Sequence, residues 1–279
     1  MANHLPTEKK ILVLSLLTEG QSIRACSRIT GVDQNTIMSL LVKSGQQARD
    51  IHDSMMVNIN SSLIQCDELY ALVGKHQRFV KEGEENKCGE FYTFIALDSQ
   101  TKLVPCYRVG KRTSKNATSF MMELATRVPS EFQLSTDSFS GYFNAVDRVF
   151  GESVHYGQIH KKYEETIEAS EKRYSPPRII SVTKKSLIGK PNPKYISTSH
   201  CERLNLSLRM EMRRFTRLTN GHSKKLENHE AAVDLYFFFY NFLRIHRTLR
   251  VTPAMEAKVT NRLWSWEDLL NWNEERIAA

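Results

Sequence analysis

Apolar residues recur at helical spacing over residues 8–18, where Ile11, Leu14 and Leu17 share one side. A second short run follows Ser22 and carries Ile23, Ala25, Cys26 and Ile29. Gly31 and Val32 predict a tight turn, and Asp33 opens a third run with Ile37, Leu40 and Leu41. A connecting helix is expected near residues 46–56. The pattern then changes. Residues 61–73 (SSLIQCDELYALV) are rich in β-branched and aromatic side chains and predict a strand, and the polar stretch 75–86 predicts a loop. Two further strands are expected over 91–98 and 103–108, joined as a hairpin by Ser99, Gln100, Thr101 and Lys102. Helices over 115–128 and 142–150 alternate with short strands over 131–136 and 154–158.

That order, three antiparallel strands and then alternating helix and strand, predicts an α/β fold: a mixed sheet flanked by helices, preceded by a small all-α unit. Residues 160–198 break the rhythm with Pro176, Pro177, Pro191, Pro193 and many charges, and are expected to form an insertion or long loop. One long amphipathic helix is expected over 196–217 (ISTSHCERLNLSLRMEMRRFTR), with Leu204, Leu208, Met212 and Phe215 on its apolar side. Arg203, Arg209, Arg213, Arg214 and Arg217 cover much of the rest. Residues 228–244 are apolar on nearly every face, which implies a deeply buried helix or half of a dimer interface. A tail over 252–272 carries Pro253 and three tryptophans.

Charge narrows the partners. The chain has 39 Lys+Arg against 31 Asp+Glu, a formal net charge of +8, which favours a polyanion, nucleic acid first. A basic enzyme with no such partner is the alternative. The helical hairpin fits a helix-turn-helix, with Gln34, Asn35 and Thr36 at the first turn where base-edge contacts are made; a plain three-helix bundle is the other reading. Five scattered cysteines form no C-x-x-C pair, so neither a zinc site nor a disulfide framework is indicated, and they read as reduced thiols of an intracellular protein. Residues 1–30 lack the pattern of a signal peptide, and no apolar run reaches membrane-spanning length. Nucleotide-binding glycine loops and a nucleophile elbow are absent, so no nucleotide cofactor is expected.

Three acids stand at element positions suited to chemistry: Asp67 in the first strand, Asp137 at the end of a later one, and Glu202 near the start of the long helix. Neighbouring strands can bring the first two together, and a helix across the sheet can add the third. Carboxylates so close raise one another's pKa, and divalent cations remove that cost. Two Mg²⁺ ions about 4 Å apart can hold a phosphodiester between them. Each acid also has a plainer reading. Asp67, with Glu68 beside it, could be a solvated strand charge, although an unpaired Asp in a central strand is costly. Asp137 could cap the next helix. Glu202 could be only the capping-box partner of Ser199. Asp98 reads as a turn residue, and His160, His200, His222, His229 and His246 lack metal-ligand spacing.

Several segments together carry a resemblance: EGQSIRACSRITGVDQNTIMSLL (19–41), QCDELYALVGKHQR (65–78), FIALDSQTKLVPCYRVGKRT (94–113), QLSTDSFSGY (133–142), the stretch 196–232, and the pattern N-F-x-R-x-H-x-T-L-x-x-T-P-A within 240–257. The chain resembles DDE transposases of the IS1 insertion-sequence family, essentially end to end. The resemblance departs at Tyr70, where tryptophan is expected, and at Ser138, where glycine is expected. It implies an N-terminal helix-turn-helix domain with its connecting helix over 1–57, an RNase H-like catalytic domain over 58–250 and a tail over 251–279. It also implies Asp67, Asp137 and Glu202 as the catalytic, metal-binding triad, holding two Mg²⁺ with Mn²⁺ able to substitute.

The expected activity is binding of the element's terminal repeats, cleavage at the ends, and joining of the 3′-hydroxyl to target DNA. Arg203, Asn205, Arg209, Arg213, Lys224, Lys225, Arg244 and His246 are the candidate DNA contacts, which makes salt-dependent binding the expectation. Double-stranded DNA is the expected partner, the assembly a homodimer or larger, and the location the bacterial cytoplasm at the nucleoid. Two other functions fit the residues: a helix-turn-helix repressor with an inactive core, and a metal-dependent nuclease that cleaves without joining.

Overall fold

The computed structural model describes residues 4–164, 178–216 and 219–278. Three helices come first: α1 (Thr7–Thr18), α2 (Ile23–Thr30) and α3 (Gln34–Met55). Side chains start the second and third, since Ser22 accepts from the Ala25 N–H and Asp33 from the Asn35 N–H. Gly31 ends α2 with φ of 70°, a conformation glycine adopts at little cost. Val13, Cys26, Val32 and Ile37 close a small core among them.

The third helix and the connecting helix expected after it are one continuous 22-residue element. Gly45 lies within it, and a Cβ built there would sit 2.6 Å from Ala231. A mid-helix glycine costs roughly 1 kcal/mol in propensity. Here it lets α3 lie directly on α7 (Leu226–Phe238).

The sheet has six strands in the order β3-β2-β1-β4-β5-β6. They are β1 (Leu63–Val73), β2 (Gly89–Asp98), β3 (Cys106–Gly110), β4 (Phe132–Thr136), β5 (Val154–Tyr163) and β6 (Ile179–Ile188). Pairing is antiparallel across β1, β2 and β3, parallel across β1, β4 and β5, and antiparallel at β6. This mixed sheet flanked by helices is compatible with an RNase H-like fold. Asp98 takes the turn role expected of it, accepting from the Gln100 N–H and the Thr101 hydroxyl. The strand expected from 103 begins only at Cys106. Pro105 has no N–H to give a ladder, and the backbone of Val104 is bound on both sides by the Asn241 amide.

Two expectations are corrected. Residues 160–198 are not a free insertion: β5 runs on to Tyr163, and β6 pairs with it, for example His160 with Thr183. The β-branched stretch Ile179–Thr183 supplies that edge strand, exposed on both faces. Residues 165–177, including Pro176 and Pro177, lie outside the described residues. The long helix is also shorter than its periodicity predicts. α6 spans Ser199–Glu211; Met212 is extended, and a 3₁₀ turn follows over Arg213–Phe215. Met212 and Phe215 remain buried. Their three-residue spacing is therefore carried by an extended residue and a tight turn rather than by helix. Arg217 lies outside the described residues.

Helices α4 (Ser114–Arg127) and α5 (Ser140–Phe150) pack on each other beside the sheet. The aromatic segment forms α7 and a π-helical turn over Phe239–Leu243, with Tyr236, Phe237, Phe238 and Phe242 buried in this chain's own core. Beyond it come α8 (Pro253–Glu256) and α9 (Trp266–Ala278). Trp264 packs on Phe242, and the Gln47 side chain of α3 donates to the Leu270 carbonyl of α9. No described helix is long and apolar enough to cross a membrane, and all five cysteines are free.

Candidate active site

Strand β4 ends at Thr136, paired with Cys66, so the next two residues of β1 have no partner on that side. Into this gap, at the carboxyl ends of the parallel strands, projects Asp137. Open α/β sheets leave a crevice at such a point. Alternation along β1 sends Gln65 and Asp67 toward α6 and Glu68 toward α5. The Gln65 side chain accepts from the His200 N–H at 2.9 Å and the Cys201 N–H at 3.4 Å, while Asp67 accepts from the Asn205 amide at 2.8 Å. Glu68 is bound by the Arg112 guanidinium at 3.1 Å. Asp137 lies between the two faces, and ligand atoms of Asp67, Glu68 and Asp137 all fall within 4.8 Å of one another.

The electrostatics follow from that crowding. Burial first, and then the charges of Glu68 and Asp137, push the Asp67 carboxyl up to about 7. Burial and the Asp137 charge push Glu68 up to about 7 as well, against the pull of Tyr142 and Arg112. Arg112 also lies 3.6 Å from Asp137, with its guanidinium 4.1 Å above the Phe139 ring. It is the internal cation of this cluster. Asp137 accepts from the Phe139 N–H through Oδ1, a local turn contact two residues on.

Glu202 stands apart from the three. Its carboxylate is bound by the Lys161 ammonium of β5 and accepts from the Thr198 hydroxyl at 2.7 Å. Burial works to raise it, but these two contacts prevail and hold it below its usual value. It does not close a capping box. Ser199 is already the first helical residue, Thr198 is the N-cap, and the carboxylate meets a hydroxyl rather than a backbone N–H. Gln65 instead satisfies two of the open N–H groups at this helix start.

The cluster fits a divalent cation by its donor set: three oxygen-bearing side chains, two of them held with raised pKa by burial first and then by neighbouring carboxylate charge. Asn205 Oδ1, buried beside Asp67 without a protein partner, leaves an acceptor for a hydrating water. Glu68 is the member that the sequence reading does not single out, naming it only as the neighbour of Asp67. Its signal was available in the apolar residues that share its side of the strand, Ile64 and Cys66.

The other expected contacts scatter. Gln34, Asn35 and Thr36 are exposed on the first turn of α3. Arg203, Arg213, Lys224 and Lys225 are exposed, and Arg209 is half-buried. Asn205 is only 3 % exposed and is committed to Asp67. Arg244 is paired with Glu211, and His246 is half-buried, its imidazole held down by burial and by Lys102 and Arg244.

Fold and site together define a mixed-sheet α/β protein with a carboxylate cluster at the ends of its parallel strands. No protein-family profile matches the sequence, and no curated protein matches it. Among solved structures, the chain is similar to a Mos1 transposase paired-end complex with the left transposon end, at 10 % identity and a TM-score of 0.21, over 54 % of this chain and 58 % of that one. It is similar also to a pre-cleavage Mos1 transpososome, at 10 % identity and a TM-score of 0.20, over 56 % of this chain and 61 % of that one. The chain thus spans about three fifths of those structures, and scores this low establish no shared mechanism.

Proposed function

We propose that the chain is a DNA transposase of the DDE type, related to those of IS1 insertion sequences. It binds the terminal repeats of its element, cleaves the ends and joins the freed 3′-hydroxyl to target DNA. The observation that carries this reading is the meeting of Asp67 and Asp137, far apart in sequence, with ligand atoms within 4.8 Å. Asp67, Asp137 and Glu202 would hold the metal. Two Mg²⁺ ions, or Mn²⁺, supply Lewis-acid activation of the attacking oxygen and stabilisation of the leaving one when bound. Asn205 orients Asp67, Arg112 neutralises Glu68 and Asp137, and Lys161 keeps Glu202 ionised.

On this reading residues 1–57 are the helix-turn-helix domain, 58–250 the catalytic domain and 251–279 the tail. Gln34, Asn35 and Thr36 meet base edges, and Arg203, Arg209, Arg213, Lys224 and Lys225 meet phosphates. Two ends are joined in one event, so a homodimer or larger assembly does the work, on nucleoid DNA in the bacterial cytoplasm.

One observation favours a variant of this reading. Glu68, not Glu202, shares the cluster with the two aspartates. The deciding experiment titrates Mg²⁺ or Mn²⁺ into cleavage and joining assays on end DNA, with wild type, Glu202→Gln and Glu68→Gln. If Glu202→Gln folds and binds DNA yet reacts at least ~100-fold more slowly, as loss of a charge-stabilising group does, Glu202 is the third ligand. If it reacts like wild type and Glu68→Gln does not, the third ligand is Glu68. A wild type that binds end DNA but neither cuts nor joins it with either metal leaves a DNA-binding protein only.

A further inference from the structure

A cleft of about 820 Å³ separates the first three helices from residues 212–236, and it shares no lining residue with the acidic cluster. Four permanent cations, Arg24, Arg213, Arg214 and Lys224, line it, and not one described lining residue is a carboxylate. The wall therefore carries positive charge with no acidic residue to offset it. Its floor is apolar, formed by Met38, Leu41 and Leu235.

Arg214 is the unusual member. Its Nη1 donates to Ser223 Oγ at 2.9 Å, and Ser223 Oγ lies 3.0 Å from His229 Nδ1. His229 is fully buried, and burial first and then Arg214 draw it down to about 3, so it stays neutral and brings no charge. Among the described residues no carboxylate pairs with Arg214, and burial, unopposed, draws its guanidinium down to about 10. A guanidinium offers five N–H donors in a planar fork, and among the described residues this one spends a single donor on a neutral hydroxyl. A half-buried guanidinium on an open cleft, with no carboxylate beside it among the described residues, is placed to meet an anion. A planar fork at a cationic wall matches the oxygens of a phosphate, and the apolar floor beside it suits a base.

We infer that this cleft binds a nucleotide phosphate, with the half-buried Arg214 as its anchor. The phosphate belongs either to a DNA strand lying between the N-terminal helices and the core or to a free nucleotide. The DNA outcome rests on the transposase reading, extending the phosphate contacts proposed there for Arg213 and Lys224, while the phosphate test itself needs neither metal nor strand cleavage.

The test uses the full chain in EDTA at low salt. Inorganic phosphate, compared with chloride at equal ionic strength, is expected to raise the wild-type Tm by about 3 °C at ~10 times its Kd. Arg214→Gln is expected to abolish that shift. Should that variant not fold, the rim variant Arg24→Gln/Arg213→Gln is expected to weaken phosphate binding about tenfold, a loss of two charge-assisted contacts. Duplex DNA separates the sources. A tenfold loss of affinity in Arg214→Gln, with the slope of log K against log salt reduced by about 0.9, assigns the phosphate to DNA. Unchanged DNA binding with lost phosphate protection assigns it to a free nucleotide. If phosphate protects wild type no better than chloride, or protects Arg214→Gln equally, the cleft is not an anion site.

Discussion

The Asn205 amide donates to Asp67 Oδ2 at 2.8 Å, joining the second turn of α6 to the middle of the central strand. The contact is part-buried, with Asn205 covered and Asp67 half-buried, and a carboxylate with raised pKa is its acceptor. Asn205→Ala removes the donor while leaving the charge. A hydrogen bond to a charged group contributes roughly 1.5–3 kcal/mol. The variant should unfold at correspondingly lower urea, with an unchanged m-value, and an unchanged midpoint would mean that the bond contributes nothing net.

Asp67 and Glu68 make the protein sensitive to pH in a definite direction. Both have folded pKa values near 7, well above those of free carboxyls, so between about pH 4 and 7 the folded state binds more protons than the unfolded one. Stability then falls as pH rises through that window, because each ionisation is disfavoured only in the folded state. A divalent cation reverses this by favouring the ionised forms. Thermal unfolding should therefore show Mg²⁺ raising Tm more at pH 8 than at pH 5. Asp67→Asn should lose most of that difference, and an equal Mg²⁺ effect at both pH values would count against metal at this cluster.

Lys161 competes for Glu202. It occupies the carboxylate that the catalytic reading assigns to a metal, so Lys161→Gln should lower the Mg²⁺ concentration needed for half-maximal activity. The pair is partly exposed, and such pairs are worth at most about 1 kcal/mol. The expected gain is accordingly about fivefold or less. A rise in the Mg²⁺ requirement would instead make Lys161 a group that supports the site.

Packing at Gly45 gives a stability prediction independent of function. Gly45→Ala gains about 1 kcal/mol in helix propensity but drives a methyl group onto Ala231. Overpacking of this kind costs about 1–3 kcal/mol. The single variant should be destabilised, and Ala231→Gly in the double mutant should restore part of the loss. Chemical denaturation of the four-protein cycle measures that coupling.

Much of this molecule can be read along the chain because its signals are local. The caps Ser22 and Asp33, the glycine at position 31 and the turn chemistry of Asp98 each act within four residues. Asp67 stands out as a charge amid apolar strand residues for the same reason. What cannot be read locally is decided by distant partners. Glu68 is buried because α5 and Arg112 close over it, and strand alternation alone does not say how far that cover extends along β1. The β6 edge is hidden by the prolines and charges around it, although Ile179, Val182 and Thr183 have strand character. Helical periodicity continues past Glu211, yet Arg214 bonds to Ser223, the bridge partner of Val73, and the helix gives way.

Gln65 and Asp67 sit two apart on one side of β1. The first holds the start of α6 and the second its second turn. Two anchors on one rail leave the helix no freedom to tilt or slide without dragging the strand along. A single-residue insertion upstream in β1 would swap these side chains to the opposite face and release both anchors at once. Strand and helix are thus tied at two points, and any displacement of α6 acts on the carboxylate of Asp67 through Asn205.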